Sequence, residues 1–125
     1  MKPSSSCNRL LCAAAALGFL GVAMGAFGAH AVGERLDAHA MRHVWDTAVL
    51  FQLVHAVVLL FVSRAQPAPP RWVGAAFFWG AVLFSGSLYV LALGGPSLAG
   101  PLTPLGGLGF LAGWLGLFLY GRKTS

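Results

Sequence analysis

The chain has 125 residues, 58% of them hydrophobic and 9% charged, with a net charge of +5 and a mean hydropathy of +0.77. A soluble domain carries about 25% charged residues, so this composition excludes a water-covered globular surface and places the chain in a membrane. Most of the basic residues flank apolar runs, which points to orientation in a bilayer and excludes a nucleic-acid partner.

One membrane domain over 1–125 is expected, all-α and polytopic, with four transmembrane helices at about 10–30, 38–63, 72–94 and 104–121 in an antiparallel bundle. Lys2 and Arg9 precede the first apolar run, Leu10–Ala29. A cleaved signal peptide would share that basic start and the "AHA" at Ala29–Ala31. The run is longer than a usual signal core, and its glycines have a structural use, so a retained helix is expected. Ser4–Ser6 and the last few residues are expected to be mobile. Cys7 and Cys12 supply neither a disulfide frame nor a zinc site.

Gly18, Gly21, Gly25 and Gly28 are spaced 3, 4 and 3 apart, and Gly106, Gly109, Gly113 and Gly116 repeat the spacing. Each set occupies a strip roughly 80° wide on a helix. Small residues let membrane helices approach until their backbones gain van der Waals contact. The stripes are therefore packing surfaces, either facing each other within one chain or pairing two chains.

The stretch Gly25–Val57 holds all four histidines and all three acids. Gly33 is expected to end the turn after the first helix, and Asp37 to cap a second helix starting near Ala38. On such a helix His39, His43 and Asp46 share one face, at i, i+4 and i+7. Two imidazoles and a carboxylate at that spacing could hold a divalent metal. They could equally form an interfacial turn that is polar because it is wet. Gln52 and His55 lie deeper, His55 about 13 Å past Asp46 and near the bilayer midplane. Polar groups at that depth serve either a functional path or hydrogen-bonded packing. The third helix offers partners in "SGSLY": Ser85, Ser87 and Tyr89. Helix two is expected to turn Ala48, Gln52 and His55 toward protein and Leu50, Leu53 and Val57 toward lipid.

Arg64 and Arg71 flank a connection stiffened by Pro67, Pro69 and Pro70. The loop Gly94–Pro104 is uncharged, and Thr103 is expected to cap the fourth helix with Pro104 in its first turn. Arg122 and Lys123 follow that helix. Six basic residues (Lys2, Arg9, Arg64, Arg71, Arg122 and Lys123) thus share one side, and the positive-inside rule puts both termini in the cytoplasm.

Four blocks, "GAFGAH", "WDTAVLFQLVHAVVLL", "LFSGSLYVLAL" and "GPLTPLGGLGFLAGW", occur in order between Gly25 and Trp114. They resemble the signature blocks of the YgdD-like inner-membrane proteins, small four-helix proteins of unknown function with a eukaryotic transmembrane branch. By that resemblance His30, Thr47, Gln52, His55, Ser85, Ser87, Thr103 and Pro104 occupy motif positions. Phe51 stands where the family pattern implies a tyrosine. The resemblance implies a fold and an inner membrane, and carries no biochemical activity.

No nucleophile–base–acid set, phosphate loop or carboxylate pair is present. The reading that follows is a non-enzymatic inner-membrane protein without cofactor, structural or accessory in role. Its expected partners are membrane lipids, a second copy of itself or another membrane protein. The alternatives are a transporter or channel-like oligomer with a path along Gln52, His55, Ser85 and Ser87, and a metal-binding membrane protein using His39, His43 and Asp46.

Overall fold

A computed structural model describes residues 8–125; Lys2, Ser4–Ser6 and Cys7 lie outside the described residues. Among the described residues all regular structure is helical: α1 (Arg9–His30), α2 (Gly33–Ala38), α3 (Arg42–Arg64), α4 (Arg71–Ala92), a 3-10 turn at Ser97–Ala99, and α5 (Leu102–Thr124). α1, α3, α4 and α5 are each long and apolar enough to cross a membrane.

The helix starts follow local chemistry. Asn8 caps α1, its side-chain oxygen accepting from the Leu11 amide at 3.1 Å. Pro70 and Pro101 stand immediately before α4 and α5, where a missing N–H costs nothing. α4 ends in a Schellman motif: the Gly95 amide bonds the Val90 carbonyl at 2.8 Å, the Gly94 amide bonds that of Leu91, and Gly94 takes a positive φ of 81°.

The same motif appears where the sequence reading runs one continuous helix from residue 38. The Met41 amide bonds the Leu36 carbonyl at 2.7 Å and the Ala40 amide that of Asp37, with Ala40 at φ 54°. The chain therefore breaks between α2 and α3. Gly33 opens α2 rather than closing a turn, and Asp37 lies inside α2 rather than capping the second span. α3 begins at Arg42, after Met41, with no side-chain cap. Thr103 likewise lies within α5 and does not cap it, while Pro104 sits in its first turn.

The spans pack in chain order: α1 on α3, α3 on α4, α4 on α5, with α1 and α5 not packed on each other. The glycines supply the close approaches. Gly18 faces Ala56, Gly21 faces Leu53, Gly25 faces Val49 and Gly28 faces Trp45, an antiparallel register along α1 and α3. Gly106 faces Phe84, Gly109 faces Gly80, Gly113 faces Phe77 and Gly116 faces Trp72 and Val73, the same register along α5 and α4. Each stripe thus seats its own neighbour inside one chain, and the two stripes do not face each other. α3 and α4 hold most of the buried residues, including Trp45, Leu59, Val73 and Phe77, which are fully enclosed. Leu50 and Val57 are exposed as a lipid-facing surface would be, whereas Leu53 turns inward over Gly21.

Candidate functional site

The four deep polar residues of α3 and α4 each bond across a helix interface or along one. Gln52 is the centre. Its Nε2 donates to the Leu17 carbonyl of α1 at 2.9 Å, and its Oε1 accepts from the Tyr89 hydroxyl of α4 at 2.7 Å. One amide therefore ties three spans, using a donor and an acceptor that point opposite ways. Ser85 Oγ donates to the Ala48 carbonyl at 2.7 Å, a second α4–α3 tie. Ser87 Oγ donates to Phe84 O at 2.9 Å and meets Thr103 Oγ1 of α5. Since the Ser87 hydrogen is engaged, the Thr103 hydroxyl is the donor of that pair.

His55 takes a different partner from the one its sequence position suggests. It does not reach Ser85, Ser87 or Tyr89. Its Nε2 lies 3.2 Å from Trp114 Nε1 of α5. An indole N–H can only donate, so Nε2 accepts. The proton then resides on Nδ1, which donates to the Phe51 carbonyl at 2.7 Å. The ring is thereby held as the neutral Nδ1–H tautomer. Phe51, Phe77 and Phe110 surround it, Phe110 face to face.

Of the four, His55 borders a groove of about 550 Å³ between α3 and α5, lined with Phe51, Phe84, Leu108, Leu111 and Trp114. Gln52, Ser85 and Ser87 do not line it. Among the described residues, every buried side-chain nitrogen and oxygen has a hydrogen-bond partner in the protein.

The titratable residues near the α2–α3 break separate. His39 follows α2, while His43 and Asp46 lie in the first turns of α3, so the reversal at Ala40 removes the shared face that a continuous helix would give them. Among the described residues no group of three His, Cys, Asp or Glu is placed to hold a metal ion. His39 instead borders a cavity of about 190 Å³ with Arg35, Met41 and Gly94. Arg42 pairs with Asp37 and donates to the Gly33 carbonyl at 3.1 Å, and Arg35 donates to the Leu93 carbonyl at 2.9 Å. The hydrogen bond from Arg42 holds the exposed Asp37 carboxyl below the usual carboxylate range. His30 is exposed at the end of α1, and Thr47 donates to the His43 carbonyl at 2.8 Å.

Sequence reasoning missed Trp45 and Trp114. Trp45 is fully buried over Gly28, donates to the Met24 carbonyl at 2.9 Å and meets the Tyr89 ring edge-on, 4.8 Å between centroids. The signal was Gly28 itself: a glycine closing a packing stripe calls for a large residue opposite. Trp114 could have been sought as a donor on another span at the depth of His55.

A family profile described as "Protein of unknown function (DUF423)" matches residues 24–107. The chain belongs to the DUF423 family. A UPF0382 membrane protein of Staphylococcus saprophyticus is 41% identical over 103 residues, covering 80% of this chain and 85% of that protein. The UPF0382 inner membrane protein YgdD of Escherichia coli K12 is 40% identical over 112 residues, covering 84% of this chain and 82% of that protein. No solved structure matches the chain. With its four apolar spans, this DUF423 member is a small multi-pass inner-membrane protein. Gln52, His55, Ser85, Ser87 and Thr103 all fall within the DUF423 match, whereas Trp114 lies beyond it.

Proposed function

We infer that the protein is a structural or accessory component of the inner membrane, non-enzymatic, acting through contact with lipid or with a partner membrane protein. One observation carries this reading: the deep polar residues are consumed in holding helices together. Each buried side-chain nitrogen and oxygen among the described residues has a partner within the protein, which supports packing over a path that would solvate a solute or pass a proton. The imidazole of His55 argues the same way, since its two nitrogens are already committed to Trp114 and Phe51. The lipid-facing surface is broad and apolar, with Phe19, Val57, Leu111 and Phe118 all exposed.

Purified protein in liposomes carrying a pH gradient tests the reading. Proton leak equal to that of empty liposomes is expected. Leak that depends on the protein and disappears in Gln52→Leu or His55→Leu would overturn the reading in favour of a transporter. The basic end is assigned to the cytoplasm by the positive-inside rule. A reporter fused after Ser125 should read that side, and one inserted at Ser97 the other.

A further inference from the structure

We propose that a cleft at the basic end of the helices holds the headgroup and upper acyl chain of an anionic phospholipid. The cleft lies between the connection from α3 to α4 and the last turns of α5. It measures about 350 Å³ and is lined by Pro67, Pro70, Trp72, Leu119, Tyr120 and Lys123. Its two walls are joined by a hydrogen bond from the Tyr120 hydroxyl to the Pro67 carbonyl at 2.7 Å. Its lining is mostly apolar, with Pro67, Pro70, Trp72 and Leu119, and Leu115 and Phe118 of α5 are exposed as well. Lys123 puts one cation on that lining.

Charge complementarity selects the occupant. In the antiparallel register the start of α1, the end of α3, the start of α4 and the end of α5 share one end of the molecule. Arg9, Arg64, Arg71, Arg122 and Lys123 therefore gather there. The side-chain carboxylates, Glu34, Asp37 and Asp46, all lie at the opposite end. The ion pair among the described residues, Arg42 with Asp37, is also at that opposite end. The cations of the basic end thus have no side-chain anion to meet. Helix dipoles do not decide the sign, because α4 begins and α5 ends beside the cleft and their terminal partial charges oppose. Lys123 does decide it. A free anion would leave the apolar lining unused, whereas a phospholipid meets both that lining and Lys123. Trp72, half-exposed at the rim, is the residue type that sits at headgroup level. Basic pockets between spans on the cytoplasmic side are the usual form of such sites.

This site rests on the accessory, lipid-contacting reading and names the lipid class. The test is native mass spectrometry of the full chain released from mixed micelles with equal phosphatidylglycerol and phosphatidylcholine of matched chains. Retained phosphatidylglycerol adducts are expected in excess. Lys123→Gln should reduce them about fivefold, the effect of one cation near the surface. Ala68→Trp, which fills the cleft and keeps every charge, should reduce them at least as much. Arg9→Gln removes one charge from the same end but from α1, remote from α5, and should leave them unchanged. Equal retention of the two lipids would overturn the proposal. So would equal losses in Arg9→Gln and Lys123→Gln, which mark diffuse attraction, or displacement by millimolar inorganic phosphate, which marks a free-anion site. Proton flux through the protein would sink the accessory reading without altering lipid retention, so the two failures are separable.

Discussion

His55 of α3 lies flat against Phe110 of α5, with ring centroids 3.7 Å apart and planes 8° from parallel. One turn further along α5, Trp114 donates its indole hydrogen to the same imidazole. α3 and α5 are not closely packed along their backbones, because α4 sits against both. The imidazole thus bridges two spans across the groove they border. Of its two hydrogen bonds, the one to Phe51 stays within α3 and the one from Trp114 crosses to α5.

The bridge should show as coupling. His55→Leu removes the acceptor and should cost about 1 kcal/mol in a detergent unfolding experiment. Trp114→Phe removes the donor. The double variant should be less destabilised than the two singles together, by roughly 0.5–1.5 kcal/mol. Strict additivity would mean that the two side chains do not interact.

Gln52 should be the more expensive loss, since it serves two partners. Gln52→Leu leaves the Tyr89 hydroxyl without its acceptor and the Leu17 carbonyl without its extra donor. A cost of about 1–2 kcal/mol is expected. Adding Tyr89→Phe should recover part of it, because the stranded hydroxyl disappears. No recovery in the double variant would show that the 2.7 Å contact is not an energetic partner of the amide.

Neighbouring glycines on α5 should behave oppositely. A Cβ on Gly106 would fall on the backbone of Phe84, whereas one on Gly107 meets nothing within 4 Å. Gly106→Ala should destabilise by about 1–3 kcal/mol through overpacking. Gly107→Ala should be neutral or stabilising by up to about 1 kcal/mol, since alanine is the better helix former. Equal effects at both positions would leave composition, rather than packing, as the reason for the stripe.

Ala40 sits at φ 54°, in the left-handed region that an L side chain enters at a cost of roughly 1–2 kcal/mol. Ala40→Gly relieves that cost and raises the entropy of the unfolded chain, so a net gain of about 0.5–1 kcal/mol is expected. Thermal unfolding decides it. A loss of stability would mean that residues 38–43 continue as helix and that the break between α2 and α3 is absent.

The ion pair at the α2–α3 turn predicts a direction with pH. Asp37 has a lowered folded pKa, caused chiefly by the hydrogen bond from Arg42. Its contribution is therefore present above the unfolded carboxylate value, about 3.9, and is lost as pH falls through the lowered folded value. The pair is exposed, so the effect should be small and should shrink in high salt. Asp37→Asn should flatten the stability profile below pH 4. An unchanged acid limb in that variant would assign the limb to other groups.

The spans were legible in the sequence because bilayer thickness and backbone satisfaction admit few solutions: four long apolar runs must be four helices. Helix rise alone put Gln52 and His55 well past the charged start of α3, and it set Ser85 level with Gln52, whereas Ser85 bonds Ala48 one turn earlier and Gln52 bonds Tyr89. The protein-facing side of α3 followed from the spacing of Ala48, Gln52 and His55. What those residues bond to was a tertiary decision. Helix rise gives depth without azimuth, so it could not tell that Gln52 reaches Tyr89 while His55 turns away to Trp114. The glycine stripes announced close packing, but only the assembled register shows that each seats its own chain neighbour, α1 on α3 and α5 on α4. The break at Ala40 was hidden for a different reason. Alanine is the strongest helix former by local propensity, and only the closure of a Schellman motif around it, with Arg42 folded back onto Asp37 and Gly33, forces it into the left-handed conformation.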